Sequence, residues 1–311
     1  MEPSDVAGRR DAPPPSGPPV PSPCPRPFAP SGEYPEHRRH PPKIDTSLSY
    51  VLGPAIPGAA IGASGGAVSL CGVIPSSIDD LLAMTEGHPL IRSVDPARRG
   101  TAWRGDEAAA FLNLNRDRTI WRVVGLGPPA AVADLLTSLR GELPPDVYVN
   151  VPCGTPLPLA DPVDWVYRVA YEAPPPQAAE DLAGWSTDVE AITELLKRTN
   201  PDWSVWPGDD GARRWAGIRA EGDGLLACLA DTTSSPEIGQ VAAVAVRPEV
   251  RGRALGASIT AWAMRRLFAE GCDGVGLGVY ADNTAAMRLY DRLGFARNET
   301  RTSGRLTQVD R

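Results

Sequence analysis

Arg251, Gly252, Arg253, Ala254, Leu255 and Gly256 follow an apolar run, Val241 to Val246, and a turn at Arg247-Pro248-Glu249. Read as strand, loop and helix, this order sets unpaired helical N–H groups and the positive end of a helix dipole beside two arginines. Such a setting suits a phosphate or pyrophosphate. Small residues let phosphate oxygens approach the backbone, and Arg251 and Arg253 offer charge-assisted hydrogen bonds from a planar fork. Taken alone, the loop reads more readily as an ordinary strand-to-helix connection. Valines at 241, 244 and 246 break strict alternation, as in a strand buried on both faces or carrying a bulge.

A second group lies downstream: Asn283, Ala286, Leu289-Tyr290 and Leu293-Gly294-Phe295. Each member has a plain structural reading. Asn283 caps a helix, Ala286 permits a helix crossing, Gly294 ends the helix, and Phe295 is core. Tyr290 shares a helical face with Ala286 and Leu293, which by itself points to packing. The information lies in the combination of the two groups at their mutual spacing.

Together they resemble the acyl-CoA-binding core of the GNAT superfamily of N-acetyltransferases. That loop reads Arg or Gln, two residues, Gly, one residue, then Gly or Ala, and the later helix reads Asn, two residues, Ala, then Leu-Tyr and a Leu-Gly-Phe ending. The resemblance covers about 237 to 297, with weaker support back to 187, and departs from the pattern at Ala254, where the family has glycine. It implies acetyl-CoA as co-substrate. Backbone groups of Val244, Ala245 and Val246 would pair with the pantetheine arm beside a bulge, and one N–H would hold the thioester oxygen. The loop Arg251–Gly256 would take the pyrophosphate, with Asn283 also on the cofactor side. Retained but weakened cofactor binding is the expectation at Ala254.

The implied reaction is direct attack of a neutral primary amine on the thioester, with Tyr290 donating a proton to the departing CoA thiolate. All three histidines, His37, His40 and His88, precede this half of the chain. A histidine-ligated metal or a histidine base is therefore not expected within it. No metal is assigned, and the base expected is a carboxylate: Glu237 first, Asp231 second. The acceptor is a small-molecule or peptide amine. A catalytically weak, CoA-binding regulatory pseudoenzyme is the alternative. Trp203 and Trp206 fall in the loop where this fold meets its acceptor, with packing an equal reading.

Several elements must position these residues. Thr187-Asp188 caps a helix with Val189, Ile192, Leu195 and Leu196 at helical spacing, and Arg214–Ala220 and Gly224–Ala230 read as paired strands around Glu221-Gly-Asp223. A helix near Ala254 carries Leu255, Ile259, Ala263 and Leu267 on one stripe and ends at Gly271, before an alternating strand from Gly274 to Tyr280. Upstream, Asp106 to Leu114 reads as a short helix, Ile120 to Val124 as a strand, Ala130 to Leu139 as a helix, Asp146 to Val151 as a strand, and Asp164 to Tyr171 as a strand leading onward. Gly125-Leu126-Gly127 is no phosphate loop, because Pro128 and Pro129 remove two backbone donors.

The expected fold is therefore a mixed α/β arrangement in three parts. These are a disordered proline-rich leader over 1–83, a smaller α/β unit over 84–160, and a GNAT acyltransferase domain over 161–311. The family resemblance makes the middle unit a degenerate second copy. The leader holds 17 of the 34 prolines, which prevents sustained helix or sheet. Met84 is read as an alternative translation start. No charge falls between Thr46 and Ile78, but Pro54, Pro57 and a Gly/Ala/Ser composition argue against a membrane span. A net charge of −7 gives no footprint for nucleic acid or anionic lipid. Five scattered cysteines without a CxxC pair read as reduced thiols, and no signal peptide opens the chain, so the expected location is cytoplasmic.

Overall fold

The computed structural model describes residues 73–114, 120–145, 147–200, 203–220, 222 and 224–307. Most of the expected leader, with His37, His40, Cys24 and Cys71, lies outside the described residues, as do Glu221 and Asp223 of the expected turn.

Regular elements occur earlier in the chain than the sequence suggests. Strand β1 (Ile74–Ser76) and helix α1 (Ile78–Met84) both precede the middle unit's expected start. Ser77 and Asp80 form a capping box at the head of α1, Leu81 is fully buried, and β1 pairs antiparallel with β2 (Arg99–Arg104). These elements are too short to show a period, so a compact segment was masked by its proline-rich neighbours. A single turn, α2 (Pro89–Arg92), is capped by His88. Residues 109–114 form strand β3 (Ala109–Leu114) and not the expected helix. All six of its residues are buried, and a strand covered on both faces shows the unbroken apolar run that a short helix would also show.

The remaining elements follow in order: β4 (Ile120–Leu126), α3 (Pro129–Ser138), β5 (Tyr148–Pro152), β6 (Leu159–Ala170), β7 (Ala183–Ser186), α4 (Val189–Thr199), β8 (Arg214–Ala220), β9 (Gly224–Asp231), β10 (Ile238–Val246), α5 (Leu255–Ala269), β11 (Gly274–Tyr280), α6 (Thr284–Arg292) and β12 (Arg297–Leu306). All the strands join one 12-stranded sheet, ordered β1-β2-β3-β4-β5-β12-β6-β11-β10-β9-β8-β7. Among the described residues no helix is long and apolar enough to cross a membrane.

That order is symmetric about its middle. Five strands lie on each side of the central pair β12 and β6. On each side the inner two strands are parallel, β4 with β5 and β10 with β11, and each parallel pair is linked by a helix, α3 or α5. The central pair is exchanged. The last strand of the chain, β12, pairs with β5 of the first half, while β6 pairs with β11 of the second. The two also run antiparallel to each other from Arg297↔Val169 to Leu306↔Leu159. The two halves thus share a continuous backbone ladder.

The cores sit on the sheet faces. Helix α5 is buried along most of its length, including the expected stripe Leu255, Ile259, Ala263 and Leu267, and packs with Phe295, Tyr290 and β11. On the opposite face α1 and α2 cover Val163, Trp165, Tyr167 and Val169 of β6.

Candidate active site

The site begins where β10 and β11 part. Their parallel pairing runs through Ile238↔Gly274, Gly239↔Val275 and Gln240↔Gly276 and ends there, although β11 continues to pair with β6 as far as Tyr280. On the other side of β10, Ala242 faces Ala230 and Ala245 faces Cys228, so β10 holds one residue more than β9 over this span. Ala243 takes the extra place with φ of 48°. This is a β-bulge, which bends the strand and releases it from its neighbour. Beyond the fork, the edge carrying Val244, Ala245 and Val246 is separated from β11.

The floor of the fork was not found from sequence. Gln240 Nε2 donates to the Tyr167 hydroxyl at 2.8 Å, and a Cβ on Gly276 would lie 2.7 Å from both atoms. Glycine at 276 therefore lets Tyr167 reach across β11. The alternating glycines of that strand were the available signal, but nothing in the sequence named their partner.

After β10, the Arg247 backbone N–H donates to Leu226 O at 2.9 Å and its guanidinium to Leu225 O at 3.0 Å, fixing the exit of the strand. A turn over Pro248–Val250 then leads to Arg251, Gly252, Arg253 and Ala254, all exposed. Gly252 has φ of 81°, and Ala254, the N-cap of α5, has φ of 58° and supplies no side-chain cap. The loop thus presents two guanidinium groups beside a helix start whose first N–H groups receive no cap from the N-cap side chain. Gly256 has another role: a Cβ there would come 3.2 Å from Leu289 Cδ1 and 3.5 Å from Val246 Cγ2, so it seats α5 against α6 and β10.

Helix α6 borders the same region. Asn283 is its N-cap, accepting from the Ala286 N–H at 3.1 Å, so its carbonyl oxygen is committed while its amide N–H groups can still donate. Tyr290 is buried, with its ring edge-on to Phe295 at 5.5 Å. Burial pushes its phenol up to about 12, against the opposing pull of the Arg168 charge. It is therefore a protonated hydroxyl throughout the neutral range.

The Acetyltransferase (GNAT) family model matches residues 177–295, which span the bulge, the arginine loop and the Tyr290 helix. These residues form a GNAT-family acetyltransferase domain. A mycothiol acetyltransferase from Saccharopolyspora erythraea is 50% identical over 62% of this chain and 55% of its own length. One from Frankia casuarinae is 32% identical over 63% of this chain and 60% of its own, and one from Tsukamurella paurometabola is 29% identical over 81% and 87%. The chain thus spans little more than half the length of the first two relatives.

Several expected residues of the GNAT domain are placed apart from the fork. Glu237 precedes β10 at its paired end, six positions from the bulge residue Ala243. At ~3.3 Å per residue it lies roughly 20 Å along the strand. It accepts from Arg92 Nε at 2.9 Å and Arg99 Nη2 at 3.0 Å. Burial would raise this carboxyl, but the hydrogen bonds from Arg92 and Arg99 outweigh it and hold it below the usual range. Such a group is a weak proton acceptor where it stands, and its contacts tie the two halves together. Asp231 is fully buried against Arg214 at 2.8 Å and is equally committed. Trp203 donates to Leu196 O at 3.2 Å and Trp206 to Trp203 O at 3.0 Å, which places both as packing aromatics at the end of α4.

Histidine does reach the second half's strands: His88 Nε2 lies 2.9 Å from Glu299 Oε2 on β12. Burial opposes ionisation of Glu299, but the Arg301 charge and the His88 contact hold it down at about 2. Cys153 is disulfide-bonded, which corrects the reading of five reduced thiols, while Cys228 and Cys272 are free and buried. Among the described residues no group of three or more His, Cys, Asp or Glu side chains is arranged to hold a metal.

The first half has a corresponding fork, and it is filled. Pairing of β4 with β5 ends at Val124↔Asn150. There the fully buried Arg301 donates to Gly125 O at 2.7 Å, Asn150 O at 2.8 Å and Asn150 Oδ1 at 2.8 Å, and also pairs with Glu299. A Cβ on Gly127 would lie 2.3 Å from Glu107 O, so this glycine serves a close backbone contact.

Proposed function

We propose that the chain is an acetyl-CoA-dependent N-acetyltransferase acting on the amine of a small, mycothiol-related acceptor. The observation that carries this is the fork of β10 and β11 at the bulge, opening beside the Arg251–Gly256 loop at the head of α5. The fit to acetyl-CoA rests on three features: strand edges long enough for an extended pantetheine arm, an uncapped helix start, and exposed arginines for phosphate. When bound, acetyl-CoA supplies an activated thioester carbonyl.

The chain's own groups supply the rest. One backbone N–H on the β10 edge at Val244 to Val246 stabilises charge developing on the carbonyl oxygen. As the new N–C bond forms and the C–S bond breaks, the electron pair passes to sulfur, which takes the Tyr290 proton. The amine's released proton restores the phenol. With Glu237 and Asp231 tied to arginines, the acceptor must arrive largely as free base. An α-amine, with pKa near 8, meets this condition better than a lysine-like amine near 10.4. The name shared by the three relatives supports the acceptor class.

The test is calorimetric titration of acetyl-CoA into the chain and its Arg251→Ala variant, followed by CoA release with a panel of small amines. Loss of one charge-assisted contact, about 1.5–3 kcal/mol, predicts affinity roughly 10- to 150-fold weaker in the variant. A folded chain that binds no acetyl-CoA refutes the proposal.

A further inference from the structure

Arg168 of β6 is, with Arg301, one of the two largest fully buried side chains among the described residues, 1% exposed, and its charge is directed at α6. Its Nη1 donates to Met287 O at 2.9 Å, and its Nη2 donates to Asp291 Oδ1 at 2.5 Å and to Phe295 O at 2.6 Å. These acceptors lie before and after Tyr290, so one planar group spans the turn that holds the tyrosine. A cation close to the C-terminal half of a helix is also favoured by the negative end of its dipole. Lysine could not reproduce the contacts, because a single ammonium lacks the fork. The Arg168 Nε is buried without a hydrogen-bond partner, so the guanidinium is placed for α6 at the expense of one of its own donors.

We propose that Arg168 is a positioning residue for Tyr290, fixing the last turn of α6 so that the phenolic proton is aimed at the departing CoA sulfur. This rests on the reading of Tyr290 under the proposed function and adds a residue from the other half's exchanged strand to that site. Because β6 is also the strand paired with β11, the same element that borders the fork holds the proton donor. The Arg168 charge also opposes the effect of burial on the Tyr290 phenol, easing release of its proton.

A double-mutant cycle tests this on the full chain. Acetyl-CoA affinity is read by calorimetry, and turnover as CoA release with hydroxylamine, a small neutral nucleophile that needs no acceptor pocket. Arg168→Lys is expected to bind acetyl-CoA as the parent does and to turn over roughly 10- to 100-fold more slowly, the upper figure being that of a catalytic group misplaced by about 1 Å. In a Tyr290→Phe background the same substitution should change turnover less than twofold, because the group it positions is gone. Parental turnover in Arg168→Lys, or losses that multiply in the double variant, would overturn the proposal. Should Arg168→Lys fail to fold, Asp291→Asn, at an exposed carboxylate, decides by the same cycle: a loss that disappears in the Tyr290→Phe background supports it, and a multiplied loss refutes it. A parent that binds no acetyl-CoA would refute the transferase reading itself, a separate outcome.

Discussion

Ala254 stands where the family loop has glycine, and its backbone shows why glycine is favoured: φ is 58°, in the left-handed region. A non-glycine residue there carries about 1–2 kcal/mol of steric cost. Glycine would remove that cost but would add about 0.4–1 kcal/mol of unfolded-chain entropy. The balance predicts that Ala254→Gly stabilises the fold by about 0.5–1 kcal/mol, or roughly 1–4 °C in Tm for a chain of this size. Gly252 is the matched control. Its φ is 81°, and a Cβ there would meet nothing within 4 Å, so Gly252→Ala introduces strain without a clash and should lower Tm by a similar amount. Differential scanning calorimetry of the two variants reads both signs. Ala254→Gly should also bind acetyl-CoA at least as tightly as the parent, since the backbone path is unchanged and one methyl is removed from the phosphate side. Tm shifts of the same sign in both variants, or weaker acetyl-CoA binding by Ala254→Gly, would refute the assignment of strain to this loop.

Three further outcomes follow from the contacts. Glu237→Gln should leave turnover within twofold of the parent while lowering Tm at pH 7; because the carboxyl is held below its ordinary value, that stability is present above about 4.5 and lost as pH falls through the folded value, so the Tm gap should narrow at pH 4. Acetyl-CoA should bind with a stoichiometry of one per chain by calorimetry, since Arg301 occupies the fork of the first half; two equivalents would show that fork to be open. A chain beginning at Met84 should be less stable than one beginning at residue 73, because it loses fully buried Leu81 and the β1–β2 pairing, on the scale of a large core truncation of about 2–5 kcal/mol by thermal or urea unfolding.

What could be read from the sequence divides by range. The arginine loop, the bulged strand and the Asn283–Phe295 helix were legible because each is local: glycines at positive φ, apolar spacing and cap residues act within a few positions. Helix α4 and the β8–β9 hairpin were legible for the same reason. Strand β3 was not, because an apolar run buried on both faces carries no period to separate strand from short helix. The partners of Glu237 were not legible because Arg92 and Arg99 lie more than a hundred residues away in sequence. His88 beside Glu299, and Tyr167 across Gly276, were hidden for the same reason. Their neighbourhood arises only when β6 and β12 lie between the halves.

That exchange of strands gives the two buried arginines opposite effects at matching places. Arg168, on the strand that the first half lends, supports the last turn of α6 beside the open fork. Arg301, on the strand that the second half lends, occupies the other fork through Gly125 and Asn150. A buried guanidinium is costly unless its donors are paired, and each of these is held by backbone carbonyls together with one carboxylate, Asp291 for Arg168 and Glu299 for Arg301. In the first half those carbonyls belong to the diverging strands themselves; in the second they belong to α6 and Phe295, leaving β10 and β11 apart. The asymmetry between a closed fork and an open one therefore depends on where two arginines find their acceptors. It also explains why the halves form one ladder: removing β12 to separate them would uncover the Arg301 fork and would take away the strand that lies beside β6, on which Arg168 sits.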